Sequence, residues 1–170
     1  MDFSLVIPCF NEEENIDRII YEINNSITVY KYEIIIVDDK STDNSLNILK
    51  KYKDENKILL IENKINYGQS FSLYKGIKNA NSNIIITLDC DGQNDPKDIP
   101  KLLKIYSSES NIKLVSGIRY KRIDSKLKIA SSKIANYIKN KILKDNCMDT
   151  GCSLKIFDKK IFLEFPYFNG

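Results

Sequence analysis

The chain has 170 residues, of which 42% are hydrophobic and 29% are charged, a composition typical of one globular domain with a sizeable core. Its four cysteines form no C-x-x-C pair and it has no histidine, which excludes the usual zinc sites and removes the commonest general base. No apolar run approaches the ~20 residues that span a bilayer, and early charged residues argue against a signal peptide. We therefore expect a cytoplasmic protein with reduced thiols.

The charge of the chain is unevenly distributed, although the net charge is only +3. Half of the 26 Lys and Arg residues lie between positions 97 and 144, and the N-terminal half is correspondingly acidic. This asymmetry indicates that one face meets an anionic partner such as phosphate, anionic lipid or nucleic acid.

Short apolar runs alternate with amphipathic segments along the whole chain. The runs predict strands at 3–8, 32–37, 58–61, 84–88, 112–116 and 153–157. The helices are predicted after an Asn11 cap, after a Ser41 or Thr42 cap, at 69–80, from Pro96, at 126–143 and after an Asp158 cap. Because the strands are apolar throughout, we expect an α/β protein, a single domain over 1–170 whose mostly parallel central sheet is covered on both faces.

Two carboxylates follow the fourth predicted strand, at Asp89 and Asp91. In an extended chain, residues i and i+2 point the same way, so both carboxylates can face one ligand. Such hard oxygen donors suit Mg²⁺ or Mn²⁺, which typically keep open positions for the phosphates of a substrate.

Further polar residues follow the other predicted strands, and ligands of open α/β sheets bind at the carboxyl ends of the strands. These segments are 8–12, Asp38-Asp39, Asn66-Tyr67-Gly68 and 117–119. Helix capping would explain Asn11, Ser41 or Thr42 individually, but it explains the two acidic pairs together poorly.

Two common phosphate-binding motifs are missing from the sequence. No G-x-G-x-x-G follows the first strand and no G-x-x-x-x-G-K-[ST] occurs anywhere, which argues against a dinucleotide oxidoreductase and against a P-loop protein. A diphosphate would therefore have to be held through a metal ion, and the carboxylate pair is the natural holder.

Four motifs in order resemble family 2 glycosyltransferases, in the dolichyl-phosphate mannosyltransferase-like or polyprenyl-phosphate branch. They are the segments 6–16 and 36–43, the turn Asn66-x-Gly68 and the run 89–93, and the segment 149–157 matches the branch too. The resemblance implies a GT-A, Rossmann-like, three-layer α/β/α sandwich. It also implies an inverting, metal-dependent transfer of a sugar from a nucleotide-diphosphate sugar to a polyprenyl phosphate, such as dolichyl or undecaprenyl phosphate.

The resemblance further implies a nucleotide pocket at the ends of the first two strands. Pro8, Phe10 and Glu12 would line this pocket, with the Phe10 ring against the base or the ribose. Asp39 would accept a hydrogen bond from the base, and Asp38 would brace it.

The pyrophosphate of a UDP- or GDP-linked sugar would lie at the fourth strand. Asp89 and Asp91 would bind it through Mg²⁺ or Mn²⁺, with Gln93 completing the metal shell and Asp91 counted as catalytic. The other donor-site residues that the resemblance implies are Val37, Asn66, Gly68 and Cys90.

The acceptor site that the resemblance implies uses Arg119 and Lys133 for the acceptor phosphate, with Arg119 and Asp149 as catalytic residues. Lys133 stands where an Arg is more usual, and an ammonium cannot bind phosphate through two parallel hydrogen bonds as a guanidinium does. Asp149 is equally well explained as a turn residue before Gly151. A phosphate monoester is largely ionised at neutral pH, so this chemistry needs no histidine base.

The basic segment 126–144 has two interpretations, an ordinary surface helix or a helix that contacts the cytoplasmic face of a membrane. A nucleic-acid partner is not expected, because no aromatic residues interleave with a basic strand face. The oligomeric state is left open by the sequence.

Members of this branch usually continue into a loop with a His-Arg pair and often into transmembrane helices. The sequence shows neither, so we expect a trimmed or minimal catalytic domain. Two alternatives remain open, a glycosyltransferase acting on a growing cell-envelope glycan and a non-catalytic nucleotide-sugar-binding subunit. A phospho-acceptor receiver domain is disfavoured, because its acid pair is expected after the first strand.

Overall fold

The computed structural model describes residues 1–118, 149 and 151–167, which form a six-stranded sheet with helices on both faces. The strands are β1 (Phe3–Cys9), β2 (Tyr32–Asp38), β3 (Leu59–Glu62), β4 (Ile84–Thr87), β5 (Leu114–Ser116) and β6 (Lys155–Asp158). The helices are α1 (Ile16–Ser26), α2 (Ser45–Asp54), α3 (Gln69–Asn79), α4 (Ile99–Tyr106) and α5 (Lys159–Glu164), with a 3₁₀ turn at Pro96–Asp98.

The strand order is β3-β2-β1-β4-β6-β5, with β1 to β4 mutually parallel. β6 runs antiparallel to both neighbours, so β5 points in the same direction as β4. The carboxyl ends of β1, β2, β3, β4 and β5 therefore share one edge of the sheet. The predicted α/β sandwich with a mostly parallel sheet is confirmed.

Alternate residues of β1 pack into two hydrophobic clusters on opposite faces of the sheet, as the strand period of two requires. Leu5 and Ile7 are buried with the apolar stripe of α1, which is Ile16, Ile19, Ile20 and Ile23. Val6 is buried on the other face with Ile77 of α3. Both faces of the central strands are covered by packed helices, which explains why the sequences of these strands are apolar throughout.

The predicted caps at Asn11, Ser41 and Thr42 are wrong, because α1 begins at Ile16 and α2 at Ser45. Asn11 instead has a φ of 56°, and its side chain accepts the Thr42 N–H at 2.7 Å and donates to Thr42 Oγ1 at 3.1 Å. Ser41 Oγ accepts the Asn11 N–H at 3.0 Å. Residues whose short polar side chains favour caps serve equally well to tie two loops together.

The predicted Asp158 cap is confirmed, since its carboxylate accepts the N–H groups of Lys160 at 2.7 Å and Ile161 at 3.2 Å. The last two strands each begin two residues later than predicted, at Leu114 and Lys155. The predicted helix at 126–143 lies outside the described residues. Within the part of the chain that the structure describes, no helix is both long and apolar enough to cross a membrane.

Candidate functional site

A cavity of about 220 Å³ opens at the carboxyl edge of the sheet, where β1, β2 and β4 end. We call it the carboxylate pocket. Its lining residues are Pro8, Cys9, Phe10, Glu12, Asp39, Gln69, Ser72, Asp89, Cys90 and Asp91. The structure thus brings together Pro8, Phe10, Glu12, Asp39, Asp89, Cys90 and Asp91, which the sequence analysis had placed in a donor site.

Asp39 is 3% exposed, and its carboxylate organises the loop that follows β3. Its Oδ1 accepts the Tyr67 N–H at 2.9 Å and the Asn63 side-chain amide at 2.7 Å. Its Oδ2 accepts the Gly68 N–H at 2.7 Å. Gly68 has a φ of +88°, which a glycine adopts without steric cost and which aims this N–H at the carboxylate.

Asn63 is a site residue that the sequence analysis missed. Its side-chain amide also donates to Ser72 Oγ at 3.0 Å, and its Oδ1 accepts from the Lys75 ammonium at 2.8 Å. The only sequence signal was its place directly after β3, and a lone Asn at a strand end is too common to single out.

Asp38 is 1% exposed and lies beneath the loop that joins β2 to α2. Its Oδ2 accepts the Ser41 N–H at 3.2 Å, while its Oδ1 has no hydrogen-bond partner among the described residues. The side-chain hydrogen bond to Asp39 comes from Asn63, and the bracing of Asp39 by Asp38 stays a prediction.

The acidic pair after β4 lies on the wall of the carboxylate pocket, with Glu12 also lining it. Asp89 Oδ1 accepts from the Gln69 side-chain amide at 2.6 Å, and Asp91 Oδ1 accepts the Gln93 N–H at 2.9 Å. Gln93 therefore shapes the turn through its backbone.

The pKa of Glu12 is raised, first by burial and then by the negative charges of Asp91 and Asp89, although a hydrogen bond from Asn15 acts in the opposite direction. Carboxylates that repel one another favour a cation between them. Among the described residues, no three acidic or thiol side chains gather closely enough to hold a metal ion alone. Proteins usually bind Mg²⁺ through one or two carboxylates, and phosphates of the substrate complete its coordination. The carboxylates of this pocket therefore fit a divalent ion that binds together with a diphosphate.

Arg18 of α1 lies against the turn that follows Asp91. A Cβ at Gly92 would lie 1.6 Å from Arg18 Nη2, and Gly92 has a φ of +72°. Arg18 also donates to Asn15 Oδ1 at 3.0 Å. The sequence analysis missed Arg18 because the contact joins a helix to a turn more than seventy residues away.

Cys9 and Cys90 lie side by side in the carboxylate pocket and are both buried free thiols. A hydrogen bond with Cys90, together with burial, raises the pKa of Cys9. Cys9 is therefore a neutral, uncharged part of the pocket wall at physiological pH.

Three further candidates, Val37, Asn66 and Asp149, do not line the carboxylate pocket. Val37 is buried in the core on the α3 face, and Asn66 is exposed. Asp149 is buried, and its carbonyl accepts the Cys152 N–H at 3.4 Å. Arg119 and Lys133 lie outside the described residues.

Comparison with known proteins supports the family resemblance. A family model described as Glycosyl transferase family 2 matches residues 4–165. The chain is 36% identical over 166 residues to a dodecaprenyl-phosphate galacturonate synthase of Rhizobium johnstonii, covering 95% of the chain and 49% of that protein. It is also 36% identical over 162 residues to an undecaprenyl-phosphate 4-deoxy-4-formamido-L-arabinose transferase of Photorhabdus laumondii, covering 93% and 49%. The chain thus spans about half the length of these curated relatives.

A solved structure of glucosyl-3-phosphoglycerate synthase from Mycobacterium tuberculosis superposes with a TM-score of 0.74 at 15% identity, covering 97% of the chain and 59% of that protein. That structure contains Mn²⁺, UDP and glucosyl-3-phosphoglycerate. The superposition confirms the expected GT-A fold.

Proposed function

The chain belongs to glycosyl transferase family 2, and from this premise we propose that it carries the active site of an inverting, metal-dependent glycosyltransferase. The proposed donor is a UDP- or GDP-linked sugar, and the proposed acceptor is a polyprenyl phosphate at a membrane surface. The observation that carries the proposal is the carboxylate pocket, which gathers Glu12, Asp39, Asp89 and Asp91 at the carboxyl edge of the sheet.

The donor nucleoside would enter the pocket between the ends of β1 and β2. Phe10 is 44% exposed and lines the cavity, so its ring is free to pack against a base or ribose. Asp39 lines the same cavity and would accept a hydrogen bond from the base. The three hydrogen bonds to the Asp39 carboxylate would hold it in one orientation and so reduce the entropic cost of binding the base.

The diphosphate would lie against Asp89 and Asp91, which would hold Mg²⁺ or Mn²⁺. When bound, the ion would supply the positive charge that stabilises the leaving nucleoside diphosphate. Arg18 lies beside the same turn and would add a second positive charge near the phosphates.

In the proposed reaction an oxygen of the acceptor phosphate attacks the anomeric carbon of the sugar. The bond from that carbon to the phosphate of the acceptor forms while its bond to the nucleoside diphosphate breaks on the opposite side, which inverts the configuration. The attacking oxygen is already ionised near neutral pH, so positioning is the main task of the protein. Arg119 and Lys133 are proposed to bind the acceptor phosphate, and Asp149 to orient the acceptor.

A thermal-shift panel of UDP- and GDP-sugars, with and without Mn²⁺, tests the donor half of this proposal. We expect one donor to raise the melting temperature only when Mn²⁺ is present, because a ligand that binds only the folded state stabilises it. The shift should disappear in Asp91→Asn, since the amide keeps an oxygen for the Gln93 N–H but loses the charge. Asp54→Asn, at the exposed end of α2, is the matched control and should keep the full shift.

The acceptor half is tested by incubating the full chain and the stabilising donor with a short polyprenyl phosphate. We expect a glycosyl phosphate lipid of inverted configuration, detected by mass spectrometry and NMR. If no nucleotide sugar raises the melting temperature, the proposed donor site is overturned. Transfer to an oligosaccharide but to no polyprenyl phosphate would overturn the acceptor assignment alone.

A further inference from the structure

A second cavity begins where the carboxylate pocket ends. This linking cavity, of about 330 Å³, shares Gln69 and Asp89 with the carboxylate pocket. Its lining residues are Gln69, Ser70, Leu73, Thr87, Asp89, Gly151, Ser153, Lys155, Phe157 and Phe162. It therefore leads from one of the proposed metal-binding carboxylates across the α3 face of the sheet.

The end of the linking cavity nearest Asp89 is polar. Thr87, two residues before Asp89 along the chain, lies directly opposite Lys155 in the β4–β6 pairing. Lys155 is the one cationic side chain among the described residues that line the linking cavity, and its ammonium donates to the Cys152 carbonyl. Because the ammonium makes this one hydrogen bond within the described part of the chain, it has two further N–H donors to offer an anion.

A third cavity of about 290 Å³ adjoins the linking cavity and shares Ser70, Leu73 and Phe162 with it. We call this the aromatic groove. Its lining residues are Ser70, Leu73, Tyr74, Phe162, Phe165, Pro166 and Tyr167. Tyr74 and Tyr167 have ring centroids 5.0 Å apart, and Phe71 and Tyr167 are 6.2 Å apart.

The aromatic groove keeps large apolar side chains in contact with water. Phe165 is 68% exposed and Tyr167 is 42% exposed, and Leu163 beside them is exposed too. Contiguous exposed apolar surface of this kind marks a binding site for an apolar partner.

We propose that the linking cavity and the aromatic groove together form the acceptor subsite. Lys155 binds the phosphate of a prenyl phosphate beside Asp89, and the first isoprene units lie along Leu73, Phe162 and Phe165. This inference rests on the proposed function and names the residues that recognise its lipid acceptor. It adds Lys155 to the cations proposed for the acceptor phosphate.

The chemistry of the walls favours an isoprenoid over a glycan. A sugar chain presents many hydroxyl groups, which need hydrogen-bond partners when they leave water. Most of the lining of the aromatic groove has no hydrogen-bonding side chain, since Leu73, Phe162, Phe165 and Pro166 form four of its seven residues. A methyl-branched hydrocarbon loses water-exposed surface against such walls at no polar cost. Continuity with Asp89 places the single polar end of that ligand where the sugar is transferred.

The first test compares the KM of the full chain for farnesyl phosphate and for dimethylallyl phosphate, which differ only in chain length. Phe165→Ser should raise the KM for farnesyl phosphate about tenfold and change that for dimethylallyl phosphate by less than about twofold, because only the longer chain reaches the groove. Val29→Ser is the control, since Val29 is exposed. Equal effects of Phe165→Ser on both acceptors would overturn the assignment of the groove.

The phosphate end is tested with Lys155→Gln and with Lys160→Gln as the matched exposed control. Lys155→Gln should raise the KM for both prenyl phosphates about tenfold, because the cation meets the headgroup common to both, and should leave the KM for the donor within about twofold. A donor KM that rises as much as the acceptor KM would overturn the role of Lys155.

Photocrosslinking with a diazirine-bearing farnesyl phosphate separates this inference from the proposed function, because it needs no turnover. Crosslinks at 70–74 and 162–167 that unlabelled farnesyl phosphate removes would support the acceptor subsite, even where no transfer is measured. Transfer accompanied by crosslinks only elsewhere would overturn the acceptor subsite and leave the proposed glycosyltransferase activity standing. Absence of both transfer and crosslinks would overturn both.

Discussion

The Asp39 carboxylate holds the loop after β3 in place, because three N–H groups from Asn63, Tyr67 and Gly68 converge on it. We expect Asp39→Ala to lower the free energy of unfolding by about 3 kcal/mol, since it leaves buried donors without an acceptor. Denaturant unfolding followed by circular dichroism measures the change. Asp54→Ala, at an exposed helix end, should stay within about 0.5 kcal/mol, and an equally small effect at Asp39 would contradict this explanation.

Glu12 gives the folded protein a pH dependence of known sign. Its pKa is raised above the ordinary 4.5, first by burial and then by Asp91 and Asp89. A raised pKa in an acid means that the folded state binds the proton more tightly than the unfolded state. The resulting stabilisation is complete below pH 4.5 and is lost as the pH rises through the raised value.

Glu12→Gln removes this titration and keeps a side-chain oxygen for the Asn15 amide. In metal-free buffer we expect the variant to gain stability relative to the natural chain as the pH rises above 4.5. Unfolding curves measured across the acidic and neutral range give the difference at each pH. A difference that does not change with pH would show that neither burial nor the neighbouring carboxylates raise the pKa of Glu12.

At the scale of elements, α3 packs unusually close to the sheet at Gly76. A Cβ at this position would lie 2.5 Å from Val6 Cγ1 and 3.1 Å from Val37 Cγ2, both on buried central strands. Glycine therefore sets the distance between α3 and the sheet, and with it the position of Gln69 and Ser72 in the carboxylate pocket.

Gly76→Ala would improve helix propensity but overpack this contact. We expect a net loss of about 1–2 kcal/mol in the free energy of unfolding, because overpacking a dense core costs about 1–3 kcal/mol. Lys78→Ala on the exposed side of α3 is the control and should be nearly neutral. A more stable Gly76→Ala protein would mean that helix propensity outweighs the contact.

For the whole molecule, the position of β1 between β2 and β4 makes it the centre of the fold. Its residues are almost all buried, whereas β3 and β5 form the two edges of the described sheet and contain exposed residues. We expect amides of β1 to exchange with deuterium roughly a hundredfold or more slowly than those of β5, because edge strands open locally at lower free energy. Mass spectrometry of exchanged peptides measures this, and equal rates would contradict a core centred on β1.

Some features of the site follow from the sequence because they depend on short-range patterns. Apolar runs predicted the strands, and the shared carboxyl edge of a parallel sheet predicted that residues such as Pro8, Asp39 and Asp91 would meet. The helix caps at Asn11, Ser41 and Thr42 were predicted wrongly, since the same side chains found partners in another loop.

Only the tertiary structure decided the contacts between distant segments. β6 inserts antiparallel between β4 and β5, and an apolar run carries no information on strand direction. That insertion brings Lys155 beside Thr87 and extends the carboxylate pocket toward the aromatic groove. The bond from Asn63 to Asp39 and the contact of Arg18 with Gly92 likewise join residues far apart in sequence. Local periodicity determines which residues are buried, but which buried or polar groups meet depends on how the elements pack.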